Sequence, residues 1–201
     1  STPGNFTHNS WISDDRKFLY TTDEVSGSYM TGYDISDLNN ITETDRIQTT
    51  PGSGSFVHNT HVKNNWAVVS WYRDGIAIVD VTRPHNLVVV GRYDTYTAGC
   101  CNGEDGAWGV YPYLPSGTLV VSNINEGLFV LAPTYVRACY LEGMVTDSAC
   151  GTPLNNVTIT ISTVNVTDVT DATGNYAMGT AVPGTYNVTF SKPGYTTKTI
   201  T

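Results

Sequence analysis

Between residues 66 and 81 the chain runs in apolar blocks. Trp66-Ala67-Val68-Val69-Ser70-Trp71 and Ile76-Ala77-Ile78-Val79-Asp80-Val81 flank the polar tetrad Tyr72-Arg73-Asp74-Gly75. Nearly continuous runs of β-branched and aromatic residues predict strands covered on both faces, and the Asp-Gly junction predicts a hairpin between them. A third strand is expected over 87–93, after the turn Arg83-Pro84-His85-Asn86. No stretch sustains a 3.6-residue period, so the pattern predicts an all-β chain with almost no helix.

The blocks recur. Phe6-Thr7-His8-Asn9-Ser10-Trp11-Ile12 returns fifty residues on as Phe56-Val57-His58-Asn59-Thr60-His61-Val62. Tyr33-Asp34-Ile35-Ser36-Asp37-Leu38 returns as Val79-Asp80-Val81-Thr82-Arg83-Pro84, and a third copy begins at Ala107-Trp108-Gly109-Val110. Units of 45–50 residues holding several short strands have the size of propeller blades. The pattern stops near Tyr135, where Ala132-Pro133-Thr134 closes the last unit. Beyond it, short Thr-rich strands are expected over 141–146, 157–162, 175–178, 185–190 and 196–200, separated by turns such as Asp171-Ala172-Thr173-Gly174 and Lys192-Pro193-Gly194. The expected organisation is a partial β-propeller of about three blade-like repeats over 1–136, then a small Ig-like or prealbumin-like β-sandwich over 137–201.

Several motifs carry family resemblances. Thr21-Thr22-Asp23-Glu24, Ser70-Trp71-Tyr72-Arg73-Asp74-Gly75 and Trp108-Gly109-Val110-Tyr111-Pro112-Tyr113, with His8-Asn9-Ser10-Trp11, resemble LVIVD-repeat propellers of the choice-of-anchor B family over residues 5–131. That resemblance implies a secreted or surface protein. Gly143-Met144-Val145-Thr146-Asp147, Pro153-Leu154-Asn155-Asn156-Val157 and Thr170-Asp171-Ala172-Thr173-Gly174-Asn175-Tyr176 are similar to the prealbumin-like regulatory domain first named from carboxypeptidases. Such domains recur as non-catalytic spacers, so no peptidase is implied. One departure matters: closed propellers need about four to eight blades, and this chain supplies about three.

Composition narrows the function classes. With 10 Lys+Arg against 18 Asp+Glu, the net charge of −8 argues against nucleic acid and anionic membrane surfaces as partners. No apolar run is long enough for a membrane-spanning helix, so membrane insertion is not expected. Charged residues make up only 14%, with Thr at 30 positions, as suits a β-rich extracellular surface. Cys100, Cys101, Cys139 and Cys150 lack any CxxC spacing and are expected to form disulfides. A Cys139–Cys150 bond is awkward if the intervening chain is extended; links from the Cys100-Cys101 loop to the other two are the alternative, and the connectivity stays open. Asn5, Asn40, Asn156, Asn165 and Asn187 begin N-x-Thr sequons, and Asp147-Ser148-Ala149 resembles a bacterial O-glycosylation motif at Ser148, so glycans are candidate modifications.

Catalytic chemistry finds no convergent motif: GxSxG, HExxH and phosphate-binding glycine loops are all missing. His8, His58, Glu24 and Asp74 are weak metal candidates, and His61 cannot easily join His58 because residues three apart on a strand face opposite ways. The loop Cys101-Asn102-Gly103-Glu104-Asp105-Gly106 offers oxygen ligands for calcium; otherwise no cofactor is expected. Trp71, Tyr72 and Trp108 are candidates for a ligand-binding face. The expectation is a non-enzymatic extracellular structural protein, a homopolymeric fibre subunit whose terminal segments complete a neighbour's sheet. The alternative is a propeller binding module for carbohydrate or protein on a larger surface protein.

Overall fold

The structure, a computed structural model, describes residues 1–97 and 103–201. It divides into two compact units, Ser1–Arg137 and Ala138–Thr201. Among the described residues every strand pairs antiparallel, and the single helical element is the 3₁₀ turn Ser162–Val164.

Unit 1 holds three consecutive open sheets, each an up-and-down meander. The first runs β1 (Thr7–Ile12), β2 (Phe18–Asp23), β3 (Met30–Asp34) and β4 (Thr42–Ile47) in that order. The second runs β5 (Thr60–Lys63), β6 (Trp66–Trp71), β7 (Gly75–Asp80) and β8 (Val88–Tyr93). The third has only β9 (Ala107–Tyr111), β10 (Leu119–Asn123) and β11 (Gly127–Leu131). None of these sheets closes on itself, and the propeller expected from the repeats is not completed among the described residues.

Burial explains the apolar blocks. All of β7 and five of the six residues of β6 are buried, because the second sheet lies between the other two. Ala67, Val69, Trp71, Ala77 and Val79 pack with Val57 of the same repeat and with Tyr20 and Met30 of the first in one core. The opposite side chains of the second sheet, Val68, Ile76 and Ile78, are buried as well. The outer sheets have one covered face, so β1 and β11 alternate between exposed and half-buried positions. Of the opening strands, β5 is only four residues long and half polar, which is why the apolar runs alone do not reveal it.

The turns and termini are fastened locally. Asn64 and Asn65, both with positive φ (53° and 60°), form the two-residue connection between β5 and β6. The arm before β1, expected from the sequence to be free for donation, is held by the buried Asp23. Its carboxylate accepts from the Gly4 backbone at 2.5 Å and the Thr7 hydroxyl at 3.2 Å.

Unit 2 is a β-sandwich. Its first sheet pairs β12 (Cys139–Met144) with β15 (Asn175–Thr180); its second is ordered β14 (Val166–Val169), β13 (Thr158–Ile161), β16 (Val188–Ser191) and β17 (Lys198–Ile200). Ile159, Ile161, Met178 and Val188 form the core, ringed by Leu141, Tyr176, Tyr186 and Phe190. The strand β14 escapes the sequence reading because it is short and half polar, and follows Asn165 in the left-handed region. Gly174 (φ +82°) lets the Asp171 turn pass against the Val145 carbonyl, where a Cβ would sit 2.7 Å away.

Candidate functional site

The fifty-residue period has a geometric consequence in unit 1. The opening strands β1, β5 and β9 run side by side, placing His8, His58 and Trp108 at successive steps of one stack. The His8 and His58 rings lie 4.1 Å apart centroid to centroid, and the His58 and Trp108 rings 5.0 Å apart, each pair inclined by 29°. His58 continues the β5–β6 ladder, donating its backbone N–H to the Ser70 carbonyl at 2.9 Å, which holds the ring in the interior at 2% exposure.

Two acidic and phenolic groups from other turns meet this stack. Glu24, just past β2, places Oε2 3.1 Å from His8 Nδ1 and Oε1 3.6 Å from His58 Nε2. Tyr72, just past β6, donates its hydroxyl to Glu24 Oε1 at 2.5 Å and packs edge-on against His58 at 5.2 Å. Tyr72 is buried and holds a positive φ of 21°, a backbone strain that the packed turn enforces. The ligand-capable atoms of His8, Glu24 and His58 all lie within 4.8 Å of one another.

The electrostatics define protonation roles. Burial, and next the neighbouring His8, push the His58 pKa below the ordinary imidazole value. Its Nδ1 pairs with the Trp108 carbonyl, which accepts only from an N–H, so Nε2 carries the lone pair in the neutral ring. Burial and the Glu24 carboxylate raise the Tyr72 phenol well above its usual range, so it remains a donor. The cluster therefore presents two imidazoles and a carboxylate, an N₂O donor set suited to holding a cation.

Other sequence candidates fall elsewhere. Asp74 does not join the histidines; its carboxylate accepts from Thr49 at 2.5 Å and Ser53 at 3.2 Å. His61 sits apart from the cluster, against Trp11 at 4.5 Å, and burial lowers its pKa. Trp71 and Tyr72 are 1% and 2% exposed, so they are interior residues rather than a ligand-binding face, whereas Trp108 is half exposed. In the calcium candidate loop, Cys101 and Asn102 lie outside the described residues. Asp105 there is engaged by the Arg73 guanidinium and by Asn125 at 3.1 Å, which hold its pKa below the usual carboxylate value.

Cys139 and Cys150 are exposed and not joined to each other, and Cys100 and Cys101 lie outside the described residues. Asn5, Asn40, Asn156, Asn165, Asn187 and Ser148 are all exposed, as attachment of a glycan requires. Sequence reasoning missed two elements of the cluster. The pairing of Glu24 with Tyr72 joins turns with no shared motif, but the alignment of Trp108 with His8 and His58 was available from the period itself.

The third sheet differs from its neighbours in a second way. Among the described residues no fourth strand extends it as β4 and β8 extend the other sheets, so β11 is an edge strand. Its sequence, Gly127-Leu128-Phe129-Val130-Leu131, has no charge, whereas β4 carries Glu43, Asp45 and Arg46. Tyr111, Val120 and Val130 are cross-strand neighbours and share its outer face with Leu128. Leu128 is 68% and Val130 65% exposed. Beside this edge a groove of about 270 Å³ opens between the second and third sheets, lined by Ile76, Ile78, Tyr93, Leu119, Leu131 and Pro133.

Among the described residues no helix is long and apolar enough to cross a membrane. No curated protein matches the chain, and the LVIVD-like repeat segment has no family match. Residues 140–201, within the sandwich of unit 2, match the carboxypeptidase regulatory-like domain family.

Proposed function

We propose that this protein is a non-catalytic, extracellular structural subunit that assembles head-to-tail with copies of itself, unit 1 being a partial β-propeller. The observation that carries the reading is the β11 edge. A short, uncharged, apolar strand with unpaired backbone groups is what edge strands normally avoid, by charge, proline or cover. Among the described residues no strand follows it where β4 and β8 follow in the sibling sheets, and a largely apolar groove, lined also by Arg92, opens beside it. A strand added from a neighbouring copy completes the ladder and covers Leu128 and Val130, each contributing about 1.5–3 kcal/mol before the costs of association. Because the donor and acceptor surfaces differ, repetition grows a filament unless the rotation closes a ring. The carboxypeptidase regulatory-like domain supports a spacer role, since domains of this family are non-catalytic.

Electron microscopy and sedimentation of the purified chain test this. Regular filaments are expected for the wild type, and dispersed monomers for the double variant Leu128→Lys/Val130→Lys, whose exposed positions leave the fold intact. Monodisperse wild-type monomers at high concentration overturn the proposal. A half-exposed Trp108 and Tyr111 favour the carbohydrate-binding module as the second reading, for which a glycan array is the discriminating measurement.

The extracellular location carries its own expectation, that Cys100, Cys101, Cys139 and Cys150 are oxidised in the mature protein. Maleimide labelling of denatured, unreduced protein is expected to find no reactive thiol; labelling of two or more removes the disulfide expectation.

A further inference from the structure

We propose that His8, Glu24 and His58 together bind one divalent transition-metal ion of the zinc class, which links the first sheet of unit 1 to the second. Three observations lead there. The first is an electron-pair mismatch. With its Nδ1–H directed at the Trp108 carbonyl, neutral His58 aims a lone pair from Nε2 at Glu24 Oε1, 3.6 Å away. Two acceptors face each other there, so the gap calls for a cation or a proton. The ring is 2% exposed and stacked between His8 and Trp108. A metal ion resolves the mismatch with the imidazole neutral, the form in which histidine ligates.

The second is the spacing. Bonds of 2.0–2.2 Å in a tetrahedral site put neighbouring ligand atoms roughly 3.3–3.6 Å apart. The nitrogen–oxygen separation from His58, 3.6 Å, falls in that range and that from His8, 3.1 Å, just below it. Two imidazoles and one carboxylate favour zinc, nickel or copper over calcium or magnesium, which prefer all-oxygen shells.

The third is the set of outer partners. Ligating histidines ordinarily donate their second nitrogen to a carbonyl or carboxylate, and ligating carboxylates are themselves hydrogen-bonded. His58 has the Trp108 carbonyl and Glu24 has the Tyr72 hydroxyl, at 2.5 Å. The Trp108 carbonyl is held in turn by the Ser70 hydroxyl at 2.9 Å. His8, with a third of its side chain exposed, leaves the fourth position open to water. His8 and Glu24 belong to the first repeat and His58 to the second, so the ion ties the two meanders together.

Zinc and cobalt titrations of the full chain test the proposal. One equivalent of Zn²⁺ is expected to bind and raise the thermal midpoint, and Co²⁺ to develop the visible absorption of a low-coordinate nitrogen–oxygen site. Glu24→Gln and His8→Ala, both at the solvent rim, are expected to weaken binding by ~10–100-fold or more, while the exposed His85→Ala leaves it unchanged. On the unmodified protein, one equivalent of Zn²⁺ is expected to shift the imidazole ¹⁵N resonances of His8 and His58 but not those of His61 and His85. An absence of stoichiometric binding overturns the proposal. So does binding that survives Glu24→Gln and His8→Ala, or that shifts only His61 or His85. Filament formation by the Glu24→Gln variant is scored separately, so failure of the metal site is distinguishable from failure of the assembly reading.

Discussion

Replacing Gly75 with alanine is expected to destabilise unit 1 by about 3 kcal/mol or more, seen as a fall of roughly 10 °C in the thermal midpoint. Gly75 begins β7 and closes the turn from β6, with its N–H donated to the Tyr72 carbonyl at 3.1 Å. Its φ of +80° lies in the left-handed region, which costs an alanine about 1–2 kcal/mol. Space adds a second cost: an added Cβ would lie 2.2 Å from the Tyr93 carbonyl oxygen and 2.9 Å from the Asp94 Cα. Both are backbone atoms, so no side-chain rotation relieves the overlap and the β7–β8 pair must shift. Gly127→Ala provides the control. Its φ is +82° with nothing within 4 Å of the added atom, so only the conformational cost, about 1 kcal/mol, is expected. Equal losses in the two variants, measured by denaturant unfolding, would show that the Tyr93 contact is not what requires glycine.

The second large effect is expected at Arg137. Asp80, at the end of β7, has no solvent exposure, and the Arg137 guanidinium reaches its Oδ1 at 3.0 Å. The same guanidinium donates to Thr82 Oγ1 at 2.8 Å and to the carbonyls of Asn64 and Asn65 at 2.8 and 3.0 Å. It also stacks 3.5 Å above the Trp66 ring. Removing one partner of a buried pair typically costs 3–5 kcal/mol, but Asp80 keeps the Thr82 N–H and hydroxyl as donors, at 2.9 and 2.6 Å. Arg137 is 43% exposed, so water softens the loss, and about 2–3 kcal/mol is expected for Arg137→Met. Arg137→Lys keeps the charge but not the planar fork that serves four acceptors at once, so its loss should be intermediate. A lysine variant as stable as the wild type would assign the effect to charge alone.

Much of unit 1 was legible along the chain. The runs at 66–71 and 76–81 announce strands covered on both faces, and β6 and β7 are those strands, because burial on two sides favours apolar residues except where a polar one, such as Ser70 or Asp80, finds a partner inside. The tetrad Tyr72-Arg73-Asp74-Gly75 announces the turn between them, since few residues other than glycine tolerate its geometry. In unit 2, Asp171-Ala172-Thr173-Gly174 marks a turn for the same reason. The Asp171 carboxylate accepts from Thr173 and Asn175 backbone groups a few residues on. Such features are local: each depends on residues within a few positions, and the sequence lists those directly.

The site was legible only in part: His8, His58 and Glu24 stood out as metal candidates and the structure brings them together, but their surroundings were not readable. His58 and His61 look alike in the sequence, yet one enters the Glu24 cluster and the other lies against Trp11, a choice made by strand alternation and by which sheet packs on each face. Trp71 and Tyr72 looked like a ligand platform and are interior, because the turn that carries them is enclosed by the adjoining repeats. Asp74 looked like a partner for the histidines and instead serves Thr49 and Ser53. Glu24 meets Tyr72 across 48 residues only because two meanders stack. By itself the sequence determined the apolar strands, their turns and the period of repetition, since these follow from short-range burial patterns and backbone preference, whereas short half-polar strands such as β14 escaped it. Only the tertiary structure decided which side chains meet, because contacts between repeats depend on how whole sheets pack, and no local pattern encodes that packing.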